Sequence, residues 1–214
     1  MTLSALMSEI ERCLPDGGDW CDLEKAQTLA AMIVGIRPRV VCEIGVWMGG
    51  SFVPMALALR AIVDLDRERG RSHVARRAIA IDPWAPDESC AGQDPVNASW
   101  WGSADHDRAM ATFIDRIDRH GVRDLCEIVR KSSQDAAVPD SIDVLHVDGN
   151  HADQARRDVE RFAPSVSRGG VLVLDDLSWS GGHVRRAREI ARELGFVDMY
   201  HLGTGIVMRR QSGT

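Results

Sequence analysis

The stretch GGVLVLDD, residues 169–176, is a short apolar run that opens on two glycines and ends in two acids. A second run, IDVLHVD at residues 142–148, also ends in an acid. Short apolar runs of this kind predict strands buried on both faces of a parallel sheet. Asp148, Asp175 and Asp176 would then share one sheet edge, where three carboxylates suit a hard cation such as Mg²⁺. Capping of the following helices is the alternative role for each acid.

Similar runs recur along the chain, separated by stretches with helical spacing of apolar residues. The expected strands cover residues 39–44, 78–82, 125–129, 142–147 and 171–174, and the expected helices cover residues 3–14, 23–35, 51–64, 104–120, 151–163 and 183–195. A break at residues 15–19 separates the first two helices, and two strands at 196–201 and 205–208 form a closing hairpin.

This alternation predicts an α/β fold in which a doubly wound, mostly parallel sheet has helices on both faces and a C-terminal antiparallel hairpin. Residues 1–214 suit one domain, with residues 1–36 as an N-terminal helical cap that either covers the site or forms a homo-oligomer. Ligands of such Rossmann-like sheets bind beyond the carboxyl ends of the strands.

Composition narrows the class of protein. A formal net charge of −6 disfavours a nucleic-acid partner, and no apolar run approaches the length needed to cross a membrane. The first residues lack a basic start and a long apolar core, and the five cysteines follow no pairing pattern. We therefore expect a cytoplasmic protein whose partner is a small molecule.

Three glycines lie where the first strand turns into its helix, in VVCEIGVWMGGS at residues 40–51. Glycine lets backbone N–H groups approach a ligand closely, although a tight turn alone would also need it. The spacing matches neither G-x-G-x-x-G nor a phosphate-binding loop with Gly-Lys-Ser/Thr, which disfavours a nicotinamide oxidoreductase. Asp82, at the end of the second strand, could accept hydrogen bonds from a ribose diol. Residues 131–135 after the third strand could reach an adenine edge.

These motifs together resemble class I S-adenosylmethionine-dependent methyltransferases over nearly the whole chain. EIGVWMGG at 43–50 looks like the first cofactor motif in the form found in macrolide sugar O-methyltransferases, and SSQD at 132–135 looks like the adenine-contact segment of catechol-type enzymes. Asp148 with Asp175 and Asp176 is similar to the magnesium site of both groups. The resemblance implies a cofactor site formed by Glu43, Gly45, Val46, Trp47, Gly49, Ser51, Asp82, Ser133, Gln134 and Asp148.

His151, three residues after Asp148, is the candidate general base. A helix beginning there, and a metal ion beside it, would both disfavour the imidazolium and leave the ring able to accept a proton. Catechol-type enzymes have a lysine at this position, whereas the sugar-modifying group resembled here has a histidine. His183 is a weaker candidate near the pocket, and the run 105–107 (Asp-His-Asp) suits a helix start better than a metal site.

The predicted function is Mg²⁺-assisted O-methylation of a sugar or polyol hydroxyl on a small natural product. A catechol-type phenolic acceptor and a non-catalytic cofactor-binding subunit of the same fold are the alternatives. Residues 83–102 are expected to form one long loop, whose tryptophans Trp84, Trp100 and Trp101 either line a substrate pocket or pack over the sheet edge.

Overall fold

A computed structural model of the chain describes residues 2–14, 20–72 and 74–212. Its centre is one seven-stranded sheet with the spatial order β3-β2-β1-β4-β5-β7-β6. The strands are β1 (Val40–Ile44), β2 (Arg77–Ile81), β3 (Cys126–Val129), β4 (Ile142–Val147), β5 (Val166–Leu174), β6 (Phe196–Leu202) and β7 (Gly205–Arg210). Strands β1 to β5 are parallel to one another, and β7 runs antiparallel to both β5 and β6. The predicted sheet is therefore confirmed.

Helices cover both faces of this sheet. They are α1 (Leu3–Cys13), α2 (Leu23–Ile36), α3 (Phe52–Glu68), α4 (Pro86–Cys90), α5 (Pro95–Ser103), α6 (His106–Arg119), α7 (Asp153–Phe162) and α8 (His183–Glu193). One apolar cluster joins α1, α2, α3 and α6 to the sheet, and a second joins α7 and α8 to it. None of the helices in the described residues has the length and apolar composition needed to cross a bilayer.

The strand register decides which residues meet at the functional edge. Ile44, the last residue of β1, lies opposite Ile81 of β2 and Val147 of β4, and Val147 in turn lies opposite Leu174 of β5. The next residues along these four strands are therefore neighbours: Gly45, Asp82, Asp148 and Asp175.

The two N-terminal helices pack on the sheet through α3. Leu6 and Ile10 of α1 and Leu29 and Ile33 of α2 are almost completely buried in the same apolar cluster as α3. The predicted helical cap therefore shares the core of the sheet. The predicted break at residues 15–19 lies outside the described residues.

One expectation about the connections is wrong. Residues 83–102 are not a single loop, because they contain the short helices α4 and α5. Each helix has a proline at its first turn, where the missing N–H is not needed, and Asp94 caps α5 by accepting hydrogen bonds from the N–H groups of Val96 and Asn97. Several boundaries also differ: β5 begins at Val166 and α7 at Asp153, two residues after His151, while α6 begins at His106 and α8 ends at Glu193.

Candidate active site at the carboxyl edge of the sheet

The glycine loop lies against the segment that follows β4. Gly45 has a φ of +84°, and a Cβ atom placed on it would lie 2.3 Å from the carbonyl oxygen of Asp148 and 2.4 Å from Cα of Gly149. Only glycine fits both this backbone conformation and this close approach. The predicted cofactor loop and the first predicted metal ligand are therefore in direct contact.

Asp82 holds the glycine loop in shape. Its carboxylate accepts hydrogen bonds from the N–H groups of Val46 at 2.8 Å, Trp47 at 2.9 Å and Trp84 at 2.7 Å. Burial raises the pKa of Asp82 although the three N–H groups oppose that rise. The sequence did not reveal this structural role, and the predicted ribose contact stays a prediction.

Ser133 and Gln134, the predicted adenine contacts, face a buried acid of α7. Ser133 Oγ donates to Asp158 Oδ1 at 2.5 Å, and the side-chain amides of Gln134 and Gln154 donate to the same oxygen at 3.2 and 2.8 Å. Burial raises the pKa of Asp158 to about 6, although these donors oppose the rise. Asp158 was missed by the sequence analysis; its signal was an acid beside Ala155, Val159 and Phe162 on the apolar face of the helix.

His151 lies between two of the three predicted metal ligands. Its Nε2 atom is 3.6 Å from Asp148 Oδ1 and 3.6 Å from Asp176 Oδ2, and the three ligand atoms lie within 4.8 Å of one another. Nε2 is buried and has no hydrogen-bond partner among the described residues, while the Trp179 ring packs 4.9 Å from the imidazole. Thr204 Oγ1 donates to Asp176 Oδ1 at 2.8 Å. These groups form the outer part of the acid cluster.

The third predicted ligand, Asp175, faces a different cation. Lys25 of α2 makes a short ion pair with Asp175 Oδ2, and its Nζ atom lies 3.1 Å from Asp148 Oδ2. Burial alone would lower the pKa of Lys25, but Asp148, together with smaller contributions from Cys21 and Glu43, outweighs burial and the pKa is raised. Burial likewise opposes ionisation of Asp148, yet Lys25, His151 and His146 together hold the pKa of Asp148 far below its usual value. The structure thus places Asp148 between an inner lysine and an outer histidine.

Glu43 lies beneath this cluster and belongs to a buried polar network. Its carboxylate accepts a short hydrogen bond from Ser51 Oγ and lies 3.1 Å from His146 Nδ1. Burial raises the pKa of Glu43, although both neighbours oppose that rise. Both Glu43 and His146 are completely buried. His146 was missed by the sequence analysis because it sits inside the apolar run of β4. In this structure Glu43 and Ser51 contact each other, beneath the loop they were expected to serve.

Four tryptophans gather beside the glycine loop. The rings of Trp20, Trp47, Trp100 and Trp101 have centroids 4.8–6.1 Å apart, and Trp20 and Trp100 are 62% and 46% exposed. Trp84 is separate: it is buried against Phe113, and its Nε1 donates to the carbonyl of Trp47 at 2.8 Å. Of the predicted loop tryptophans, Trp84 therefore packs in the core, while Trp100 and Trp101 join an exposed aromatic surface.

Asn150 ties α4 to the acid cluster. Its side-chain amide donates to the carbonyl oxygens of Glu88 at 3.0 Å, Ser89 at 3.3 Å and Ala91 at 2.8 Å. Because Asn150 lies between Asp148 and His151 in sequence, this bonding fixes the α4–α5 segment relative to the site.

The weaker candidates are not part of the cluster. His183 is the first residue of α8. Among the described residues, two groups of side chains could hold a metal ion, Glu43–His146–Asp148 and Asp148–His151–Asp176, and His183 belongs to neither. Asp105 caps α6 by accepting a hydrogen bond from the Arg108 N–H, and His106 Nε2 lies 2.9 Å from the carbonyl oxygen of Trp101. The prediction that residues 105–107 begin a helix is confirmed.

The family model described as a methyltransferase domain matches residues 42–177, which is more than half of the chain. The chain belongs to this methyltransferase family. The match spans the glycine loop, Asp82, the segment after β3, and the acids up to Asp176. No curated protein sequence matches the chain.

Several solved methyltransferase structures share the fold. The O-methyltransferase TomG from Streptomyces achromogenes, crystallised with S-adenosylmethionine, is 16% identical, with 97% of this chain and 90% of TomG covered and a TM-score of 0.62. PaMTH1 from Podospora anserina, crystallised with S-adenosylhomocysteine, is 12% identical over 99% of this chain and 88% of PaMTH1, with a TM-score of 0.63. The O-methyltransferase NovP is 19% identical over 89% and 81% of the two chains, also with a TM-score of 0.63. The predicted class I methyltransferase fold is confirmed.

Proposed function

We propose that this methyltransferase transfers a methyl group from S-adenosylmethionine to a hydroxyl of a sugar or polyol group on a small natural product, with the help of Mg²⁺. The observation that carries the proposal is the grouping of Asp148, His151 and Asp176 directly beside the Gly45 loop. A methyl donor on the loop and an acceptor hydroxyl at the acids would then be neighbours, and such proximity supplies much of the acceleration of a two-substrate reaction.

The glycine loop and its surroundings are proposed to hold the cofactor. Gly45, Val46, Trp47 and Gly49 would present backbone to its methionine part, with Asp82 at the ribose, and Ser133 and Gln134 at adenine. The hydrogen bonds that the Val46 and Trp47 N–H groups donate to Asp82 support this role, since they fix the loop backbone before a ligand arrives. S-adenosylmethionine supplies a sulfonium methyl group, whose C–S bond breaks as the acceptor oxygen forms the new C–O bond.

The outer carboxylates fit a hard divalent cation. Asp148 Oδ1 and Asp176 Oδ2 are potential oxygen ligands that lie close together. The buried Nε2 of His151 beside them has no hydrogen-bond partner among the described residues. Mg²⁺ commonly takes one or two protein carboxylates and completes its shell with water and substrate oxygens. A cation held there would stabilise the alkoxide form of an acceptor hydroxyl.

His151 is proposed as the general base. Its Nε2 would take the proton from the acceptor hydroxyl. Packing against Trp179 limits rotation of the ring and keeps Nε2 directed at the two carboxylates.

The aromatic surface formed by Trp20, Trp47, Trp100 and Trp101 is proposed to contact the apolar body of the acceptor. Exposed clusters of aromatic side chains on soluble proteins commonly mark binding sites. The same surface would suit a planar ring, so a catechol-type phenolic acceptor is the second candidate.

We further propose that the protein acts in the cytoplasm on a small molecule alone; pairing of two copies through α1 and α2 stays a prediction.

The first test is calorimetric titration of S-adenosylhomocysteine into the protein, with Mg²⁺ and with a chelator. We expect binding in both, because the cofactor contacts proposed at the glycine loop, Asp82, Ser133 and Gln134 do not involve the ion. Labelled cofactor and a panel of glycosides and catechols then identify the acceptor class, and the chelator should abolish turnover. If S-adenosylhomocysteine binds neither with Mg²⁺ nor with the chelator, the proposal is refuted.

Substitution of His151 tests the base. His151→Gln should lower kcat by roughly 100-fold or more, which is the usual contribution of a positioned base, with little change in KM. His183→Gln is the matched control, because His183 lies outside the cluster, and it should leave kcat unchanged. Equal kcat values for the two variants would remove His151 as the base.

A further inference from the structure

Lys25 delivers a positive charge to the inner side of the acid cluster from a distant part of the chain. It lies in the first turn of α2, 123 residues before Asp148 and 150 residues before Asp175, and contacts a carboxylate oxygen of each. Its side chain is only 10% exposed. Buried lysines are rarely found without paired acids, so these carboxylates and the ammonium stabilise one another in the folded state.

The position of the ammonium is fixed by its helix. The N–H of Lys25 donates to the side chain of Asp22, the N-terminal cap of α2, at 2.7 Å. Further along α2, Leu29 and Ile33 are completely buried in the apolar cluster shared with α3. Lys25 therefore enters the cluster from a rigid element rather than from a mobile loop.

His146 points to the same inner space. Its side chain is completely buried, and its Nε2 atom has no hydrogen-bond partner in the part of the chain that the structure describes. That nitrogen lies 3.9 Å from Asp148 Oδ2 and 4.0 Å from Asp175 Oδ2, the same two oxygens that Lys25 contacts. The inner oxygens thus face two nitrogen groups, whereas Asp148 Oδ1 and Asp176 Oδ2 face His151.

We propose that Lys25 supplies the positive charge in the inner half of the cluster, and that Asp175 is its counter-ion rather than a metal ligand. A divalent ion is then confined to the outer half, at Asp148 and Asp176. This inference rests on the cation site in the proposed function. Lys25 is then a positioning residue, because it orients Asp148 through one oxygen and leaves the other for the ion. The ammonium and the ion would share one carboxylate, so Lys25 weakens ion binding by repulsion.

The test is Mn²⁺ binding to the full-length protein without cofactor or acceptor, measured by the loss of the free-ion paramagnetic resonance signal and by calorimetry. Lys25→Met removes the charge at nearly constant length and frees Asp175 as a third carboxylate. We expect this variant to bind Mn²⁺ at least tenfold more tightly than the wild type. Lys25→Arg keeps the charge and should bind Mn²⁺ as the wild type does. Equal or weaker binding by Lys25→Met would overturn the proposal.

A thermal measurement covers the case in which Lys25→Met folds poorly. Without its lysine the variant holds unpaired buried carboxylates, so Mn²⁺ should raise its melting temperature much more than that of the wild type. The double variant Lys25→Met/Asp175→Asn removes both partners and should return to wild-type affinity for Mn²⁺. Loss of Mn²⁺ binding in the double variant would make Asp175 a ligand and refute the inference.

The outcomes separate this inference from the proposed function. Binding of S-adenosylhomocysteine and methyl transfer are measured in other experiments and do not depend on how Lys25 and Asp175 are paired. Failure of the wild type and every variant to bind Mn²⁺ would refute the divided cluster, while cofactor binding would still support the methyltransferase activity.

Discussion

Replacement of Gly45 by alanine should lower the free energy of unfolding more than any other glycine-to-alanine change at this edge of the sheet. A Cβ atom at Gly45 would lie 2.3 Å from the Asp148 carbonyl oxygen and 2.4 Å from Cα of Gly149, both of which are backbone atoms that cannot rotate away. Overpacking of this kind typically costs about 1–3 kcal/mol. The φ of +84° adds about 1–2 kcal/mol for an L-residue in a left-handed conformation. The expected loss is therefore roughly 2–5 kcal/mol, a large part of a typical domain stability of about 5–15 kcal/mol.

Gly195 offers a matched control for this prediction. Its φ is +89°, but a Cβ atom there would have no neighbour within 4 Å. Gly195→Ala should therefore lose only the conformational part, about 1–2 kcal/mol. The difference between the two variants isolates the close approach of the glycine loop to the segment after β4.

Urea unfolding followed by tryptophan fluorescence gives both free energies of unfolding, provided that the dependence on urea is the same in both variants. Calorimetry with S-adenosylhomocysteine adds a functional measurement, and Gly45→Ala should also lose cofactor affinity while Gly195→Ala keeps it. Equal losses of stability in the two variants would refute the reasoning, because they would show that the loop and the Asp148 segment move apart freely.

Two further predictions concern residues around the site. Because the pKa of Asp158 rises from 3.8 to about 6 on folding, this group favours the fold below pH 4 and its contribution is lost as pH rises to 6. Asp158→Asn should therefore be more stable than the wild type at pH 7.5, by up to roughly 3 kcal/mol, and lose that advantage near pH 4 in urea unfolding; parallel pH profiles would contradict this. Asn150→Ala removes the Nδ2 group that lies within hydrogen-bond distance of the Glu88, Ser89 and Ala91 carbonyl oxygens, and it should speed amide exchange in residues 87–91 at least tenfold, as about 1.4 kcal/mol would give. Asn97→Ala, which loses only a contact with Asp94 in its own helix, should not speed exchange there.

The apolar runs were sufficient to predict the sheet and its functional edge. Each parallel strand is a short buried stretch, and the residue after it is readable because the register aligns the strand ends. This places Gly45, Asp82 and Asp148 together without any long-range information. The two short helices in residues 83–102 were missed, because a helix of one or two turns has too few residues to show a period.

Contacts between distant segments could not be predicted. Lys25 reads as an ordinary exposed helix residue, and nothing local indicates that it reaches Asp148 and Asp175. His146 is hidden in an apolar strand, and Trp20 joins the other tryptophans only through the tertiary fold. A single sequence specifies local period and turn chemistry, whereas these pairings depend on how helices pack.

The position of β7 in the sheet has a consequence for synthesis of the chain. This strand is translated after the other six, yet it lies between β5 and β6 rather than at the edge. Until it leaves the ribosome, β6 has no partner, and the nascent sheet ends at β5 with an unpaired edge. Thr204, just before β7, also brings its hydroxyl group within hydrogen-bond distance of Asp175 and Asp176 only when the hairpin closes. The acid cluster would thus reach its final geometry at the last step of folding, so a chain interrupted before residue 205 would carry the glycine loop without a finished site.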